Sequence, residues 1–241
     1  MKTVLITGAT SGIGFQLALD YLNQGWHVVA CGRNEKLLSS LQSAYPNAET
    51  LQFDITKAAE TRQAMSQMQS KPSVWIFNAG NCEYIENGHL DSELLRRVFD
   101  TNFMGLVNSI ESTQDRFERG DSVVVVGSIS SEVALPRAEA YGASKAAVSY
   151  LARTLQVTLK PKGIHVSVVY PGFVETPLTD KNTFDMPMIV SAEHASTAIR
   201  KGIEKRTPHI YFPSRFTSIL RLIGLLPYRW QNALTAKLLK G

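Results

Sequence analysis

Short apolar runs alternate with longer segments of mixed polarity along most of the chain. The runs VLIT, HVVA, TLQF, VWIF, VVVV and IHVSVV are rich in β-branched residues, which favours strands. Between them, apolar positions three and four apart predict helices over 14–23, 35–44, 58–68, a stretch through 102–117, and 141–159. Strands that are apolar throughout and separated by helices are typical of a parallel sheet covered on both faces. The pattern predicts an α/β fold with a doubly wound parallel sheet flanked by helices.

No repeat, low-complexity tract or linker divides the 241 residues, so we expect one domain over 1–241 with a helical extension from about 213. Cys31 and Cys82 form no CxxC or Cys/His spacing, and the five histidines share no metal spacing. We therefore expect neither disulfides nor a bound metal. The apolar N-terminal run is only as long as a strand, which favours a cytoplasmic protein over a secreted one.

The stretch TGATSGIG places Gly8, Gly12 and Gly14 between the first strand and the first helix. In a doubly wound, Rossmann-type fold this turn faces the ligand crevice, and the helix N-terminus favours a pyrophosphate. The spacing G-x-x-x-G-x-G departs from G-x-G-x-x-G, and no Gly-Lys-Ser/Thr follows as in a P-loop. The glycines predict dinucleotide binding, and a purely structural turn is the alternative.

The end of the second strand, VVACGRN, bears on which dinucleotide would bind. Gly32 occupies the position at which NAD-binding folds place a carboxylate for the ribose 2′-OH, and Arg33 follows it. A guanidinium can bind a 2′-phosphate with two charge-assisted hydrogen bonds, whereas a carboxylate would repel it. This favours NADP(H) over NAD(H), with a solvated surface arginine as the alternative.

Ser128 follows an apolar strand, and Tyr141 and Lys145 begin the next helix. A spacing of four brings Lys145 close to the Tyr141 phenol, and a nearby cation lowers the pKa of a phenol. Tyr141 could then act as a general acid or base, while Ser128 holds a carbonyl oxygen that becomes an alkoxide. By itself, a tyrosine and a lysine four apart could equally be an ordinary surface pair.

With these residues in place, the chain resembles the short-chain dehydrogenase/reductase family from Thr3 to about Thr176. The matching elements occur in the family's order: TGATSGIG, FDIT with Asp54, NAG at 78–80, TNFMG with Asn102, GS with Ser128, YGASK with Tyr141 and Lys145, and PGFVET with Pro171, Gly172 and Thr176. The resemblance implies oxidoreductase activity on a carbonyl or alcohol substrate. It also implies assembly as a homodimer or homotetramer through the helices that contain Asn102 and Tyr141.

The resemblance implies roles for individual residues. Tyr141 would be the acid/base and Lys145 would lower its pKa and hold the nicotinamide ribose, with Ser128 and a water positioned by Asn102 completing a catalytic tetrad. Asp54 would reach the adenine edge through the following backbone, Asn78 and Ala79 would line the adenosine ribose, and Thr176 would hold the carboxamide. The cofactor contacts expected in addition to Tyr141 and Lys145 are Gly8, Thr10, Ser11, Gly12, Ile13, Gly14, Arg33, Asp54, Ile55, Asn78, Ala79, Gly80, Pro171, Gly172, Val174 and Thr176.

Departures from the family's pattern fall at positions that we expect to shape the substrate pocket. The stretch NCEYIENGHL follows NAG, and Tyr170 precedes PG. The segment 173–190 would close over cofactor and substrate. Its large apolar side chains favour a moderately apolar substrate, although they could equally pack the loop down: Phe173, Leu178, Phe184, Met186 and Met188. The alternative to an enzyme is a dinucleotide-sensing or scaffold protein, against which the presence of Tyr141 and Lys145 argues.

The C-terminal extension is basic. Seven lysines and arginines follow Glu204, and no acidic residue does: Lys205, Arg206, Arg215, Arg221, Arg229, Lys237 and Lys240. Its apolar residues are too few to span a bilayer. They could cap the substrate pocket, pack on another subunit or lie on an anionic membrane. Nucleic acid is not expected, because no stacking platform or recognition motif accompanies the charge.

Overall fold

The computed structural model describes residues 2–86, 88–182 and 184–236. Its strands are β1 (Thr3–Thr7), β2 (His27–Gly32), β3 (Ala48–Gln52), β4 (Val74–Phe77), β5 (Ser122–Val126), β6 (His165–Pro171) and β7 (His209–Phe212). Its α-helices are α1 (Gly12–Asn23), α2 (Glu35–Ala44), α3 (Ala58–Gln67), α4 (Ser92–Phe99), α5 (Gly105–Glu111), α6 (Glu139–Leu159), α7 (Ala192–Glu204), α8 (Ser214–Gly224) and α9 (Tyr228–Thr235). Short 3₁₀ helices lie at Gln114–Arg116, Ile129–Ser131, Lys160–Lys162 and Thr179–Lys181.

The strands form a parallel sheet in the order β3-β2-β1-β4-β5-β6-β7. The order reverses between β1 and β4, and in open α/β sheets a ligand crevice lies at that point, beyond the carboxyl ends of the strands. This confirms the doubly wound, Rossmann-like fold that the apolar pattern predicts.

The apolar core has two layers because successive strand residues point to opposite faces. Val4 and Ile6 of β1 join the layer that contains residues of α1, α2 and α7. Leu5, between them, joins the layer that contains residues of α3, α5 and α6. Burial on both faces explains why these strands read as continuous apolar runs.

The structure corrects the expected helix through 102–117. That stretch begins inside a π-helical turn at Asp100–Met104, which follows α4, and continues as α5; the α-helix ends at Glu111, and a 3₁₀ helix follows at Gln114–Arg116. Near the end of α5, the hydroxyls of Ser109 and Thr113 bind carbonyls of the preceding turn at 2.7 Å, which competes with continued helix. The sequence pattern does not predict β7 or α7, but it does predict helices in the C-terminal extension, where α8 and α9 lie. Residues 237–241 of that extension, with Lys237 and Lys240, lie outside the described residues.

Candidate active site

A cavity of about 380 Å³ lies at the carboxyl ends of the strands, where the strand order reverses. Most of the site residues expected from the sequence line it: Gly8, Thr10, Ser11, Gly12, Ile13, Arg33, Asp54, Ile55, Asn78, Ala79, Gly80, Ser128, Tyr141, Lys145, Pro171, Gly172, Val174 and Thr176. Gly14 and Asn102 are not among the described residues that line it, although both support residues that do. The fold therefore brings segments that follow β1 to β6 to one cleft.

The turn after β1 has a conformation that needs glycine. Gly8 and Gly12 have φ of +69° and +50°, a region that side chains disfavour. A methyl group on Gly14 would lie 2.2 Å from the carbonyl oxygen of Gly8 and 2.4 Å from Nδ2 of Asn78. The first two glycines thus shape the turn, and the third lets α1 approach it closely.

The start of α1 faces the cavity with backbone donors. Ser11 is the N-cap residue, and among the described residues its side chain makes no capping hydrogen bond. Helix N-terminal N–H groups of this kind favour an anion.

Thr7 Oγ1 accepts hydrogen bonds from the N–H groups of Asn78 and Ala79 at 3.0 and 3.2 Å, which ties the ends of β1 and β4 together. This role of Thr7 was missed from the sequence, because no pattern marks a threonine at a strand end.

Arg33 lies at the rim of the cavity beside Asp54. Its side chain is 77% exposed, and its Nη1 is 3.7 Å from Oδ2 of Asp54. Asp54 also accepts hydrogen bonds of 2.9 Å from the N–H and the hydroxyl of Thr56. Partial burial favours the neutral carboxyl, but these hydrogen bonds and the charge of Arg33 outweigh it and hold the pKa of Asp54 below its usual value. Arg33 is therefore an exposed cation at the rim with a weak ion pair to Asp54, and it can bind another anion in place of that carboxylate.

Ser128, Tyr141 and Lys145 come together at the inner end of the cavity. Ser128 follows β5, and its side chain hydrogen-bonds the Tyr141 phenol. Ser130 Oγ also donates to Ser128 Oγ at 2.9 Å. One turn along α6, the Nζ of Lys145 donates to the Val126 carbonyl at 3.0 Å and lies 5.8 Å from the Tyr141 ring centroid. The spacing of four therefore gives the neighbourhood that the sequence predicts.

The pKa of Tyr141 differs from the sequence-based expectation. Burial raises the pKa of this phenol well above its ordinary value, and the hydrogen bond from Ser128 offsets only part of the effect. Burial also lowers the pKa of Lys145 from 10.5 to about 8. The expected lowering of the Tyr141 pKa is thus wrong for this structure, because burial and the neighbouring Cys82 thiol raise it more than the hydrogen bond lowers it. At neutral pH the phenol carries its proton.

Asn102 supports the cavity wall by binding the backbone of Asn81, a residue that lines the cavity. The π-helical turn buries it, and its Oδ1 accepts from the Asn81 N–H at 2.7 Å. Its Nδ2 donates to the Asn81 carbonyl and to Ser144 Oγ, each at 2.9 Å. A methyl group on Gly80 would lie 3.2 Å from Oδ1 of Asn102 and 3.3 Å from Nζ of Lys145. Asn102 therefore holds the loop after β4 against α6 at the level of Lys145.

An aromatic cluster lies beside the 173–190 segment. Phe184 packs against Tyr84 and Phe173 with ring centroids 5.3 and 6.0 Å apart, and Phe173 contacts Phe216 of α8 at 5.3 Å. The Arg137 guanidinium lies 5.6 Å from the Tyr84 ring centroid and 5.5 Å from that of Phe184. Tyr84, Arg137 and Phe216 were missed from the sequence because they come from three separate loops and helices.

The other apolar residues of the 173–190 segment have different surroundings. Leu178 lines the cavity, the Met186 sulfur accepts from Asn182 Nδ2 at 3.1 Å, and Met188 is half exposed.

Tyr170 lies in the core, whereas the sequence predicts it at the substrate pocket. It is buried, stacks on Tyr211 at 4.5 Å and hydrogen-bonds Ser149 through its hydroxyl at 2.9 Å.

The fold and this site define a Rossmann-like protein of the oxidoreductase class, and comparison with known proteins gives its family. A family model described as short chain dehydrogenase matches residues 2–186. An uncharacterized oxidoreductase of Myxococcus xanthus is 31% identical over 94% of this chain and 93% of its own. The chain belongs to the short-chain dehydrogenase family, which confirms the resemblance carried by its motifs.

Solved structures agree with this fold. A short-chain dehydrogenase from Burkholderia cenocepacia in complex with NADP has a TM-score of 0.85 at 24% identity, over 98% of this chain and 99% of its own. A short-chain dehydrogenase from Sphingobium yanoikuyae in complex with NADPH has a TM-score of 0.80 at 25% identity, over 91% and 92% of the two chains. The agreement extends over almost the whole described chain.

Proposed function

We propose that this chain is an NADP(H)-dependent oxidoreductase that interconverts a moderately apolar carbonyl compound and its alcohol. The observation that carries the proposal is that Ser128, Tyr141 and Lys145 line the same cavity as the glycine turn. When bound, the nicotinamide supplies or accepts the hydride. The positive-φ glycines and the open N-terminus of α1 fit the pyrophosphate of such a group.

The protonation state of the site supports reduction of a carbonyl. A Tyr141 phenol with a raised pKa holds its proton at neutral pH and can donate it to the alkoxide oxygen as that oxygen forms. The Ser128 hydroxyl can donate a hydrogen bond to the same oxygen. Lys145 carries its charge below a pKa of about 8 and stabilises the phenolate that remains after proton transfer.

Arg33 supports the choice of NADP(H). It is exposed at the rim, Gly32 precedes it in place of a carboxylate, and its partner Asp54 is 3.7 Å away. A 2′-phosphate would bring a doubly charged anion to a guanidinium that can form two hydrogen bonds with it. The NADP-bound and NADPH-bound relatives also support this choice.

A fluorescence titration with NADPH and NADH tests the cofactor. Arg33→Ala should weaken NADPH binding by roughly ten- to a hundredfold, the worth of one or two charge-assisted hydrogen bonds, and leave NADH binding unchanged. Arg62→Ala is the matched control, because Arg62 is also an exposed arginine with a carboxylate at 3.9 Å, in this case Glu111. Equal NADPH and NADH affinities in the parent protein would overturn the cofactor assignment.

Turnover separates the enzyme from a dinucleotide-sensing or scaffold protein. With NADPH and a panel of alkyl and aromatic aldehydes and ketones, Tyr141→Phe should lose nearly all activity, because the variant has no proton to donate. Its NADPH affinity should stay close to that of the parent protein. If the parent turns over only small charged keto acids, the substrate assignment is wrong; if Tyr141→Phe keeps full activity, the proposed acid is wrong.

Location and assembly are part of the same proposal. Cys31 and Cys82 are both free, which fits a reducing cytoplasm. Tyr150 and Val157 of α6 and Met104 of the π-helical turn expose large apolar side chains, and this surface fits a homodimer or homotetramer. Light scattering of the parent protein and of Tyr150→Asp should give a multiple of the chain mass for the first and a smaller mass for the second. A monomeric parent would contradict the assembly.

A further inference from the structure

The outer side of α8 and α9 exposes large apolar side chains. Leu225 is 83% exposed, Leu222 65% and Trp230 53%. We call this surface the tail face and define it by its exposed apolar members: Ile219, Leu222, Leu225, Leu226, Tyr228, Trp230 and Leu234. Exposed apolar side chains gathered on one side of a protein mark an interaction surface.

The inner side of the same helices is fixed to the rest of the chain. Leu220 is buried against Ile129 and Val133, with Phe216 and Ile223 packed beside them. Nε2 of Gln231 donates to the carbonyls of Gly224 and Leu226 at 3.1 and 2.8 Å, which closes the turn between α8 and α9. The tail face is therefore held outward by packing beneath it.

The segment that contains the tail face carries charge of one sign. No Asp or Glu follows Glu204, and Arg215 and Arg229 are exposed on α8 and α9. The guanidinium of Arg221 stacks over the Tyr211 ring at 4.3 Å. Glu132 is the acidic residue at the end of the 3₁₀ helix that packs against α8. The segment that carries the tail face therefore exposes arginines and no carboxylate side chain, with Glu132 as an acidic neighbour from another segment.

We propose that the tail face docks on the surface of an anionic lipid membrane. A helix with apolar residues on one side and arginines beside them binds at the level of lipid headgroups, where Trp and Tyr side chains are also stable. Among the described residues no helix is long and apolar enough to cross a membrane, so the helices would lie on the surface. Contact between two copies through this face would bring their arginines together, which disfavours a second chain as the occupant.

Docking in this way would bring the membrane close to the cleft. Phe216 of α8 contacts Phe173 of the 173–190 segment at 5.3 Å and lies against Gly172, a residue of the cavity wall. A membrane that touches the outer side of α8 therefore lies next to the rim of the cleft. An apolar substrate could then enter from the lipid side.

Co-sedimentation with vesicles tests the docking. The full chain should sediment with equimolar phosphatidylcholine and phosphatidylglycerol and remain in solution with phosphatidylcholine alone. Binding should weaken as salt is raised, because exposed charges are screened. The combined variant Leu222→Glu, Leu225→Glu and Trp230→Glu should lose at least about a hundredfold in vesicle affinity. Leu90→Glu is the matched control, since Leu90 is 68% exposed but stands beside Asp91, and it should bind as the parent does.

A second variant tests the charge separately. Arg215→Gln with Arg229→Gln should lower the affinity for the anionic vesicles on the order of tenfold. Circular dichroism establishes that each variant is folded, without reference to turnover. The proposal is overturned if the parent stays in solution with both vesicles, or if the combined variant binds as the parent does. If the parent does not bind vesicles and light scattering gives a smaller mass for the combined variant than for the parent, the tail face contacts a second copy of the chain and the proposal is overturned.

Discussion

Lys145 should lower the stability of the protein at neutral pH, and the size of this effect follows from its burial. Burial lowers the pKa of Lys145 from 10.5 to about 8 in the folded chain, while an unfolded chain leaves it near the ordinary value. Between about pH 8 and 10.5 the unfolded state therefore holds one more proton than the folded state, and stability rises with pH over that range. At about 1.4 kcal/mol for each pH unit, the rise amounts to about 3 kcal/mol.

Urea unfolding of the parent protein and of Lys145→Met at pH 7 and pH 10.5 measures this effect. The free energy of unfolding of the parent should increase relative to that of the variant by about 3 kcal/mol between the two pH values. Methionine has a similar length and no charge, so other groups that titrate in the same range cancel in the difference. Lys162→Met, on an exposed 3₁₀ helix, controls for removal of a charge from the chain. A difference between parent and Lys145→Met that stays constant with pH would refute the reasoning.

Two further substitutions test the glycine turn and the π-helical turn. Gly14→Ala would place a methyl group 2.2 Å from the Gly8 carbonyl oxygen, so NADPH affinity should fall more than about tenfold and stability by about 2 kcal/mol. Gly142→Ala is the control in the same titration and urea assays: its methyl group would lie 3.5 Å from its nearest neighbour, so it should lower neither quantity. Asn102→Ala leaves the backbone groups of Asn81 unpaired and should cost about 2–4 kcal/mol, more than Asn108→Ala, which removes one bond to the Ile55 carbonyl. Unchanged stability of Asn102→Ala would contradict its supporting role.

The sheet and the glycine turn could be predicted from the sequence because their signals are local. A strand buried on both faces is apolar at most positions, and a turn with positive φ next to a closely packed helix favours glycine. The bounds of α2 agree with the predicted 35–44 because Asn34 caps the helix by accepting from the N–H of Leu37. β7 was missed because it alternates in burial and has only four residues, His209–Phe212.

In the candidate site, too, features that depend on one short segment could be predicted from the sequence, and features that depend on several segments could not. Tyr141 and Lys145 are four residues apart on one helix, so their proximity is a property of a short segment. The Tyr141 pKa depends on how completely other segments shield the phenol from water. The spacing of Tyr141 and Lys145 along the chain does not show this. The aromatic cluster is harder still, since Tyr84, Arg137, Phe184 and Phe216 meet only after the loops following β4 and β5, the 173–190 segment and α8 have all packed.

This division bears on how the substrate would be recognised. The side of the cleft that we assign to the dinucleotide consists of backbone at strand ends and helix N-termini, which the sheet topology fixes. The side that we assign to the substrate consists of long side chains on separate segments, among them Phe173 and Phe184, held together by ring contacts of 5–6 Å. A change in one of these segments moves its ring without disturbing the sheet. Substrate preference can therefore change while the Ser128, Tyr141 and Lys145 geometry stays the same, and that is why the motifs that identify the family leave the substrate unnamed.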